Sequence, residues 1–175
     1  MRIFKRFYPK EYVDSVYSID FEKLYREGYR GVLFDIDNTL VPHGAPADKR
    51  ARKLFQRLRK LGMESCLISN NQIERVKGFA DGVGSKFIEN AHKPSTKNYF
   101  RAMEQMGTTL QNTIFIGDQL FTDIYGANRA GIWTILVKPI HPKEEIQIVL
   151  KRYLEKIVLY FYKRERKREE KKKSF

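Results

Sequence analysis

Residues 31–41 read Gly-Val-Leu-Phe-Asp-Ile-Asp-Asn-Thr-Leu-Val, and this stretch decides the fold. An apolar run that ends in two carboxylates, Asp35 and Asp37, is typical of a buried parallel strand. Asn38 and Thr39 favour a turn, so both acids are expected on the loop after the strand. In an open α/β sheet, ligands bind beyond the carboxyl ends of the strands. The stretch therefore predicts an α/β fold with a functional site at this loop.

Two acids one residue apart also predict a particular chemistry. Neighbouring carboxylates repel each other unless a cation neutralises them, and Mg²⁺ prefers hard oxygen ligands. One acid can then attack phosphorus while the other acts as general acid and base. The structural alternative is that Asp37 or Thr39 only caps a helix.

Ser69 and Asn70 follow a second predicted strand, over residues 63–68. Hydroxyl and amide groups at a strand end suit a phosphoryl oxygen, on which charge spreads in the transition state. Alternatively, these two residues cap the helix that is expected from Gln72.

Lys93 follows a short strand predicted over residues 86–88 and precedes Pro94. We expect Pro94 to open a helix in its first turn. A lysine here can neutralise a carboxylate nucleophile and a phosphate as a point charge. Most lysines of so basic a chain are solvated, so only its place in the chain distinguishes Lys93.

The clearest case of polar residues after a predicted strand comes last along the chain. A strand over residues 112–116 is followed by Gly117 and Asp118, and Asp123 lies about one helical turn further on. Gly117 is expected to let the backbone turn tightly, with Asp118 presented at the strand end. The alternative for Asp123 is a favourable charge at a helix start.

Together, these segments resemble the haloacid-dehalogenase-like (HAD) phosphohydrolases. Residues 35–39 are similar to the first family motif, Asp-x-Asp-x-Thr, and residues 117–123 to the fourth, Gly-Asp-x-x-x-x-Asp. Ser69 and Lys93 match the second and third motifs. The resemblance covers residues 31–137. It implies an HAD-like Rossmannoid three-layer sandwich of α/β class, with a central parallel sheet of about five strands.

The resemblance also implies roles for the site residues. Asp35 would attack phosphorus to form an aspartyl-phosphate, and Asp37 would act as general acid and base. The residues expected to contact the phosphate-ester substrate are Asn38, Thr39, Ser69, Asn70 and Lys93. The residues expected to hold Mg²⁺ are Asp35, Asp37, Asp118 and Asp123.

Large substrate-selecting caps of the family are inserted between the first and second motifs or between the second and third. Here each interval leaves room for one helix and one strand. The chain therefore resembles the capless subclass, whose open site tends to accept large or surface-bound substrates. Without a lid, the substrate or a partner must exclude water.

The expected organisation has three parts. Residues 1–30 form a helical extension, residues 31–141 the HAD-like core, and residues 142–175 a basic amphipathic helix and tail. Within the extension and core, helices are expected over residues 12–17 and 21–27, from Asp48 to Gly62 and over residues 72–81. A fifth strand is expected over 131–137, with Trp133 in the core.

The C-terminal part carries an apolar stripe at helical spacing, made of Ile146, Val149, Leu150, Tyr153, Leu154, Ile157, Val158 and Phe161. Residues 151–175 hold 11 Lys and Arg against 4 Glu. One interpretation is that the stripe packs on the domain. Another is that residues 144–175 lie on an anionic membrane surface. RNA binding through phosphates is a third, less favoured interpretation.

Composition limits the compartment and the partners. The chain has 175 residues, a net charge of +13 and a single cysteine, Cys66. The charge predicts a phosphate ester, nucleic acid or anionic membrane as partner. One cysteine excludes an internal disulfide and suits a reducing compartment. Without a signal-peptide pattern or an apolar run of about 20 residues, the protein is expected to be cytoplasmic, at most peripheral on the inner membrane face.

Within the family, the loop sequences and the extension resemble a bacterial group related to mitochondrial phosphatidylglycerophosphate phosphatases. The expected function is Mg²⁺-dependent hydrolysis of a lipid phosphate, phosphatidylglycerophosphate to phosphatidylglycerol. The enzymatic alternative is a soluble sugar phosphate or nucleotide, and the non-enzymatic one is a basic RNA- or ribosome-binding module. His43, His92 and His141 show no metal-ligand spacing, and the sequence assigns no oligomeric state.

Overall fold

A six-stranded parallel sheet forms the centre of the computed structural model, which describes residues 3–141 and 146–173. The strands are β1 (Glu11–Val13), β2 (Gly31–Phe34), β3 (Glu64–Ile68), β4 (Lys86–Ile88), β5 (Thr113–Gly117) and β6 (Trp133–Val137). The helices are α1 (Phe21–Arg26), α2 (Lys49–Leu61), α3 (Ile73–Val83), α4 (Lys97–Met106), α5 (Tyr125–Ala130) and α6 (Ile146–Lys173). Short 3₁₀ helices span Ile3–Phe7 and Val16–Ser18, and a π-helical turn spans Leu120–Ile124.

The strand order, β1-β6-β5-β2-β3-β4, places the switch in chain direction between β2 and β5. From the central β2, the chain moves outward through β3 and β4, then returns to β5 and proceeds the other way. The carboxyl ends of β2 and β5 are therefore the place where this topology opens a ligand crevice. The predicted parallel α/β sheet is confirmed, with one strand more than expected.

The additional strand is β1, which comes from the N-terminal extension and pairs with β6 at the sheet edge. The helix expected around Tyr12 is therefore wrong, although a 3₁₀ turn follows. The next helix, α1, forms as predicted, because the Asp20 carboxylate accepts a hydrogen bond from the N–H of Lys23 (2.9 Å) and caps it.

Two apolar layers cover the sheet, as a three-layer sandwich requires. Side chains alternate between them, so Phe34 packs in one layer with Phe55 of α2, and Leu33 packs in the other with Phe115 and Tyr99. The capped amphipathic helix predicted from Asp48 to Gly62 is confirmed as α2.

Two details differ from expectation. Helix α4 begins at Lys97, so Pro94 does not occupy its first turn. Trp133 is 37% exposed rather than buried in the core. It lies at the amino end of β6, two residues before Ile135, and the neighbouring β1 begins only at the level of Ile135. The tryptophan therefore extends past the strand that would have covered it.

Between Asp35 and Lys93, a range described throughout, the chain forms α2, β3, α3 and β4 and no inserted domain. The capless organisation is confirmed. Among the described residues, no helix has both the length and the apolar content that crossing a bilayer requires.

Helix α6 divides its apolar stripe between two faces. Of the predicted stripe, Val158 is buried and packs with Leu120 and Leu136 of the core, and Phe161 stacks on Phe4 (ring centroids 5.9 Å apart). The opposite face leaves Tyr153, Leu154, Ile157 and Tyr160 exposed. The side chains of Ile146, Val149 and Leu150 lie outside the described residues. Only part of the predicted stripe therefore packs on the domain.

Candidate active site

Three carboxylates converge where β2 and β5 end. Asp35 follows β2, Asp118 follows β5, and Asp123 lies in the π-helical turn after Asp118. All three are buried, and one oxygen of each lies within 4.8 Å of the others. Oxygen ligands grouped in this way are what a hard divalent cation requires. Of the acids predicted to hold a metal, these three are brought together.

Lys93 is the cation that contacts this group. Its Nζ lies 2.6 Å from Asp35 Oδ1 and 2.6 Å from Asp123 Oδ1, and its side chain is buried. Of the many lysines in the chain, the one indicated by its position before Pro94 therefore lies at the site. That Lys93 also binds the phosphoryl oxygens of the substrate stays a prediction.

Burial and neighbouring charges shift the pKa values of Asp35 and Lys93. Burial raises the pKa of Asp35 to about 7, and the Asp123 carboxylate adds to this rise, although Lys93 opposes it. Burial would lower the pKa of Lys93, but Asp123 and Asp35 outweigh it and raise that pKa. Lys93 thus remains a cation, and it lies beside a carboxyl group whose pKa is raised.

Neighbouring groups fix the positions of these carboxylates. The Thr39 hydroxyl lies 3.3 Å from oxygens of both Asp35 and Asp118. The N–H of Gln119 donates to Asp123 Oδ2 (3.1 Å), and the hydroxyl of buried Tyr99 donates to its main-chain oxygen (3.2 Å). Thr39 therefore lies among the acids rather than capping a helix.

Gly117 is required for space rather than for a turn. A Cβ at this position would lie 2.6 Å from Asp123 Oδ2, and the backbone of Gly117 does not adopt a positive φ. Left-handed backbone at this edge of the sheet is found instead at Asn38 (φ 61°) and, in the loop before Lys93, at Asn90 (φ 43°) and His92 (φ 50°). The tight turn expected at Gly117 is therefore wrong, and the glycine allows Asp123 to approach the end of β5.

Asp37 points its carboxylate elsewhere. Its Oδ1 accepts hydrogen bonds from the N–H of Gly44 and from Arg75 Nη2, both at 2.8 Å. Its Oδ2 accepts one from Asn71 Nδ2 at 2.6 Å. The metal role predicted for Asp37 is therefore not supported for its carboxylate, which is held outside the group of three. Its acid–base role stays a prediction.

Arg75, on α3, was not indicated by the sequence. It is mostly buried, pairs with Asp37 and packs over the Phe79 ring. Within the described part of the chain, its buried Nε has no hydrogen-bond partner. Helical arginines are common in this chain, so no pattern distinguishes Arg75 from a solvated one.

The other residues predicted to contact the substrate lie near the carboxyl ends of the strands, and each forms hydrogen bonds with neighbouring residues. Asn70 Oδ1 accepts from the N–H of Lys93 (2.7 Å), and its Nδ2 donates to the Lys93 carbonyl (3.2 Å). The Ser69 hydroxyl accepts from the N–H of Asn71 (3.2 Å) rather than capping α3, which lacks a side-chain cap. The main-chain oxygen of Asn38 accepts from the N–H of Ile140 (3.0 Å). These contacts position Lys93 and the rim, and substrate binding by the three residues stays a prediction.

Helix α6 reaches this site through Glu155. The carboxylate of Glu155 is buried and accepts a hydrogen bond from the N–H of Leu120 (2.8 Å), two residues after Asp118. A groove of about 200 Å³ lies alongside. It is lined by Tyr12, Asp118, Leu120, Leu136, Val137, Pro139, Glu155, Lys156 and Leu159. The C-terminal helix therefore forms a wall next to one of the three acids.

Comparison with known proteins supports this interpretation. A family model described as HAD-hydrolase-like matches residues 90–145. The Bacillus subtilis (strain 168) protein named Probable phosphatase YqeG is 37% identical over 161 residues, which cover 91% of this chain and 94% of that protein. The Arabidopsis thaliana protein named Phosphatidylglycerophosphate phosphatase 1, chloroplastic/mitochondrial, is 29% identical over 81% of this chain, but only 43% of the plant protein is covered.

Among solved structures, the fold is similar to that of 3-deoxy-D-manno-octulosonate 8-phosphate phosphatase from Moraxella catarrhalis. That structure was determined in complex with magnesium ion, phosphate ion and a KDO molecule. The TM-score is 0.51 at 16% identity, over 70% of this chain and 76% of that one. At this identity the comparison concerns the fold alone.

Proposed function

Because the chain belongs to the HAD-like phosphatases, we propose that it is a Mg²⁺-dependent phosphomonoesterase that forms an aspartyl-phosphate on Asp35. The observation that carries this proposal is the buried group of Asp35, Asp118 and Asp123 at the switch point of the sheet. Buried carboxylates in such number are costly without cations, so their presence favours a site for one.

The residues present fit Mg²⁺. Asp35, Asp118 and Asp123 offer hard oxygen ligands, and Lys93 pairs with two of them, Asp35 and Asp123. These three carboxylates would hold the ion. When bound, Mg²⁺ supplies positive charge that stabilises the phosphoryl oxygens and the ionised form of Asp35.

The chain's own residues then account for both chemical steps. An oxygen of Asp35 attacks phosphorus, the bond from phosphorus to the ester oxygen breaks, and the leaving oxygen takes a proton from Asp37. Water next attacks the phosphorus of the acyl phosphate, and Asp37 accepts its proton. Inorganic phosphate leaves and the Asp35 carboxylate is regenerated. Lys93 and Ser69 bind phosphoryl oxygens in each step.

Arg75 positions Asp37 for these proton transfers, and we expect Arg75→Ala to show this through the leaving group. An alkyl phosphate needs a proton on its leaving oxygen, whereas p-nitrophenolate leaves without one. The ratio kcat/KM reports only the step that forms the aspartyl-phosphate, so it should fall by roughly 10²-fold or more for the alkyl phosphate and much less for p-nitrophenyl phosphate. Arg101→Ala, on α4, is the matched control. Equal losses on both substrates would contradict a positioning role for Arg75.

For the substrate, we propose a lipid phosphate such as phosphatidylglycerophosphate, presented on an anionic membrane. The groove beside Asp118 is lined mainly by apolar side chains, which suits the aliphatic part of a lipid headgroup region. Next to it, α6 exposes Tyr153, Leu154, Ile157 and Tyr160, and eight of the residues 163–173 are basic. Apolar and basic side chains on one helix favour an anionic lipid interface. The name of the plant relative agrees with this choice.

The exposed face of α6 provides the test. In the double variant Leu154→Ser/Ile157→Ser, hydrolysis of phosphatidylglycerophosphate in phosphatidylglycerol vesicles should fall at least about tenfold, because apolar area is no longer buried in the membrane. Hydrolysis of p-nitrophenyl phosphate in solution should be unchanged. Phe100→Ser is the matched control, since Phe100 is also exposed but lies on α4.

Three results would contradict the lipid proposal. The double variant and Phe100→Ser could lose vesicle activity equally. The wild-type protein could hydrolyse a sugar phosphate or nucleotide far better than the lipid. It could also sediment with RNA while hydrolysing no phosphate ester.

A further inference from the structure

A large cleft lies away from the acids, at the opposite end of the sheet. It has a volume of about 550 Å³ and lies where β1 and β6 begin, whereas the catalytic rim is where the strands end. Its lining residues are Lys5, Arg6, Tyr8, Lys10, Asn128, Arg129, Gly131, Ile132 and Trp133. This volume is within the range of about 300–1,000 Å³ that is usual for small-ligand sites.

The cleft is strongly cationic. Lys5, Arg6, Lys10 and Arg129 line it, and none of the described lining residues is acidic. Lys5 pairs with Glu165 at 3.0 Å. No carboxylate of the described residues forms an ion pair with the other three cations. Like charges gathered in one cleft repel each other, so a bound anion with several charges would relieve the repulsion.

An aromatic ring lies among these charges. Trp133 is exposed at the cleft, and its Nε1 donates a hydrogen bond to Glu11 (3.2 Å), which fixes the plane of the indole. The Nζ of Lys10 lies 6.0 Å from the ring centroid. A fixed, exposed indole beside cations is the arrangement on which nucleic-acid bases stack while their phosphates are neutralised.

Hydrogen bonds hold the wall of the cleft in place. Asn128 Nδ2 donates to the carbonyls of Arg6 and Tyr8, both at 2.9 Å, and ties the N-terminal segment to α5. The N–H of Lys10 donates to the carbonyl of Thr134 at 3.0 Å. The cationic side chains therefore extend from a pre-formed backbone, which reduces the ordering cost of binding.

From these observations we propose that the cleft binds a nucleotide, with the base on Trp133 and the phosphate groups on Arg6, Lys10 and Arg129. The nucleotide is either free or part of a single-stranded RNA, because both present the same base and phosphate chemistry. A lipid headgroup would satisfy the cations but has no base to stack on the indole. The site is separate from the catalytic acids, so the inference does not depend on the proposed substrate.

Trp133 is the single tryptophan of the chain, so its fluorescence reports on this cleft alone. The full-length protein would be titrated in EDTA, which suppresses turnover, with ADP, with a short single-stranded oligoadenylate and with ribose 5-phosphate. We expect saturable quenching by ADP or the oligoadenylate, and binding at least about tenfold weaker for ribose 5-phosphate, because stacking of a base contributes about 1–3 kcal/mol. Saturation by ADP indicates a free nucleotide, and saturation by the oligoadenylate alone indicates RNA.

The double variant Lys10→Glu/Arg129→Glu tests the phosphate contacts. It should weaken binding at least about tenfold and make the salt dependence of oligoadenylate binding shallower, while p-nitrophenyl phosphate turnover stays unchanged. Lys53→Glu/Lys60→Glu, on α2, makes the same charge change away from the cleft and should have little effect. The proposal is overturned by absence of quenching or by equal binding of ribose 5-phosphate. Equal weakening by both double variants, or quenching by phosphatidylglycerol vesicles but not by the nucleotides, would also overturn it.

Discussion

Asp35→Asn should lower phosphatase turnover by at least about 10⁴-fold, because the amide has the same shape as the carboxylate but cannot attack phosphorus. The loss should appear with every phosphomonoester, p-nitrophenyl phosphate included, since the nucleophile is common to all of them. Steady-state hydrolysis in the presence of Mg²⁺ measures it.

Two controls separate this loss from misfolding. The Asp35→Asn protein should keep its circular dichroism spectrum and unfold cooperatively, because Lys93 retains its ion pair with Asp123. Asp81→Asn makes the same chemical change at an exposed position of α3 and should leave turnover intact. A fully active, folded Asp35→Asn protein would exclude the aspartyl-phosphate mechanism.

The second large effect is expected for stability. Lys93→Met removes the ammonium that lies between the buried carboxylates of Asp35 and Asp123. Removing one partner of a buried ion pair leaves an uncompensated charge, so the free energy of unfolding in EDTA should fall by about 3–5 kcal/mol. Urea denaturation followed by circular dichroism measures this change. Added Mg²⁺ should restore part of the loss, because a cation bound by the acids replaces the missing charge.

Lys86→Met is the matched control for this experiment. Lys86 pairs with Glu64 on the surface, and such an exposed pair contributes about 0–1 kcal/mol. If Lys93→Met in EDTA unfolds at the same urea concentration as Lys86→Met, the carboxylates around Lys93 do not carry the charge that we assign to them. If the single variant does not fold, Lys93→Met/Asp123→Asn should recover stability, since both partners are then removed.

The rim residues that follow an apolar run directly were predictable from the sequence. Asp35 and Asp118 each come immediately after a strand, and in a parallel sheet all carboxyl ends meet at one rim. Lys93 could be placed only with the help of the family resemblance, because four residues separate it from the end of β4. Its contact with both Asp35 and Asp123 depends on the positions of two further segments.

Side-chain direction in the loop after β2 was not predictable. Strand alternation no longer applies beyond Phe34, so the sequence could not show that the Asp37 carboxylate is directed to Arg75. With 34 lysines and arginines in the chain, the pattern could not distinguish Arg75 either. Glu155 is a similar case, since a glutamate in a basic helix is normally solvated and this one is buried against the N–H of Leu120.

The extra strand and the exposed tryptophan have a common cause. β1 has three residues, too few to separate the period of a strand from that of a helix. It forms because it pairs with β6, more than 120 residues further along the chain. Its short length in turn leaves Trp133 uncovered at the amino end of β6, where the cationic cleft lies.

The most direct test of the central claim is anomalous scattering from crystals of the active protein soaked in Mn²⁺ as a substitute for Mg²⁺. We expect one strong peak among the carboxylate oxygens of Asp35, Asp118 and Asp123, with metal–oxygen distances of about 2.1 Å. Crystals that turn over substrate but show no ion among these three carboxylates would contradict it.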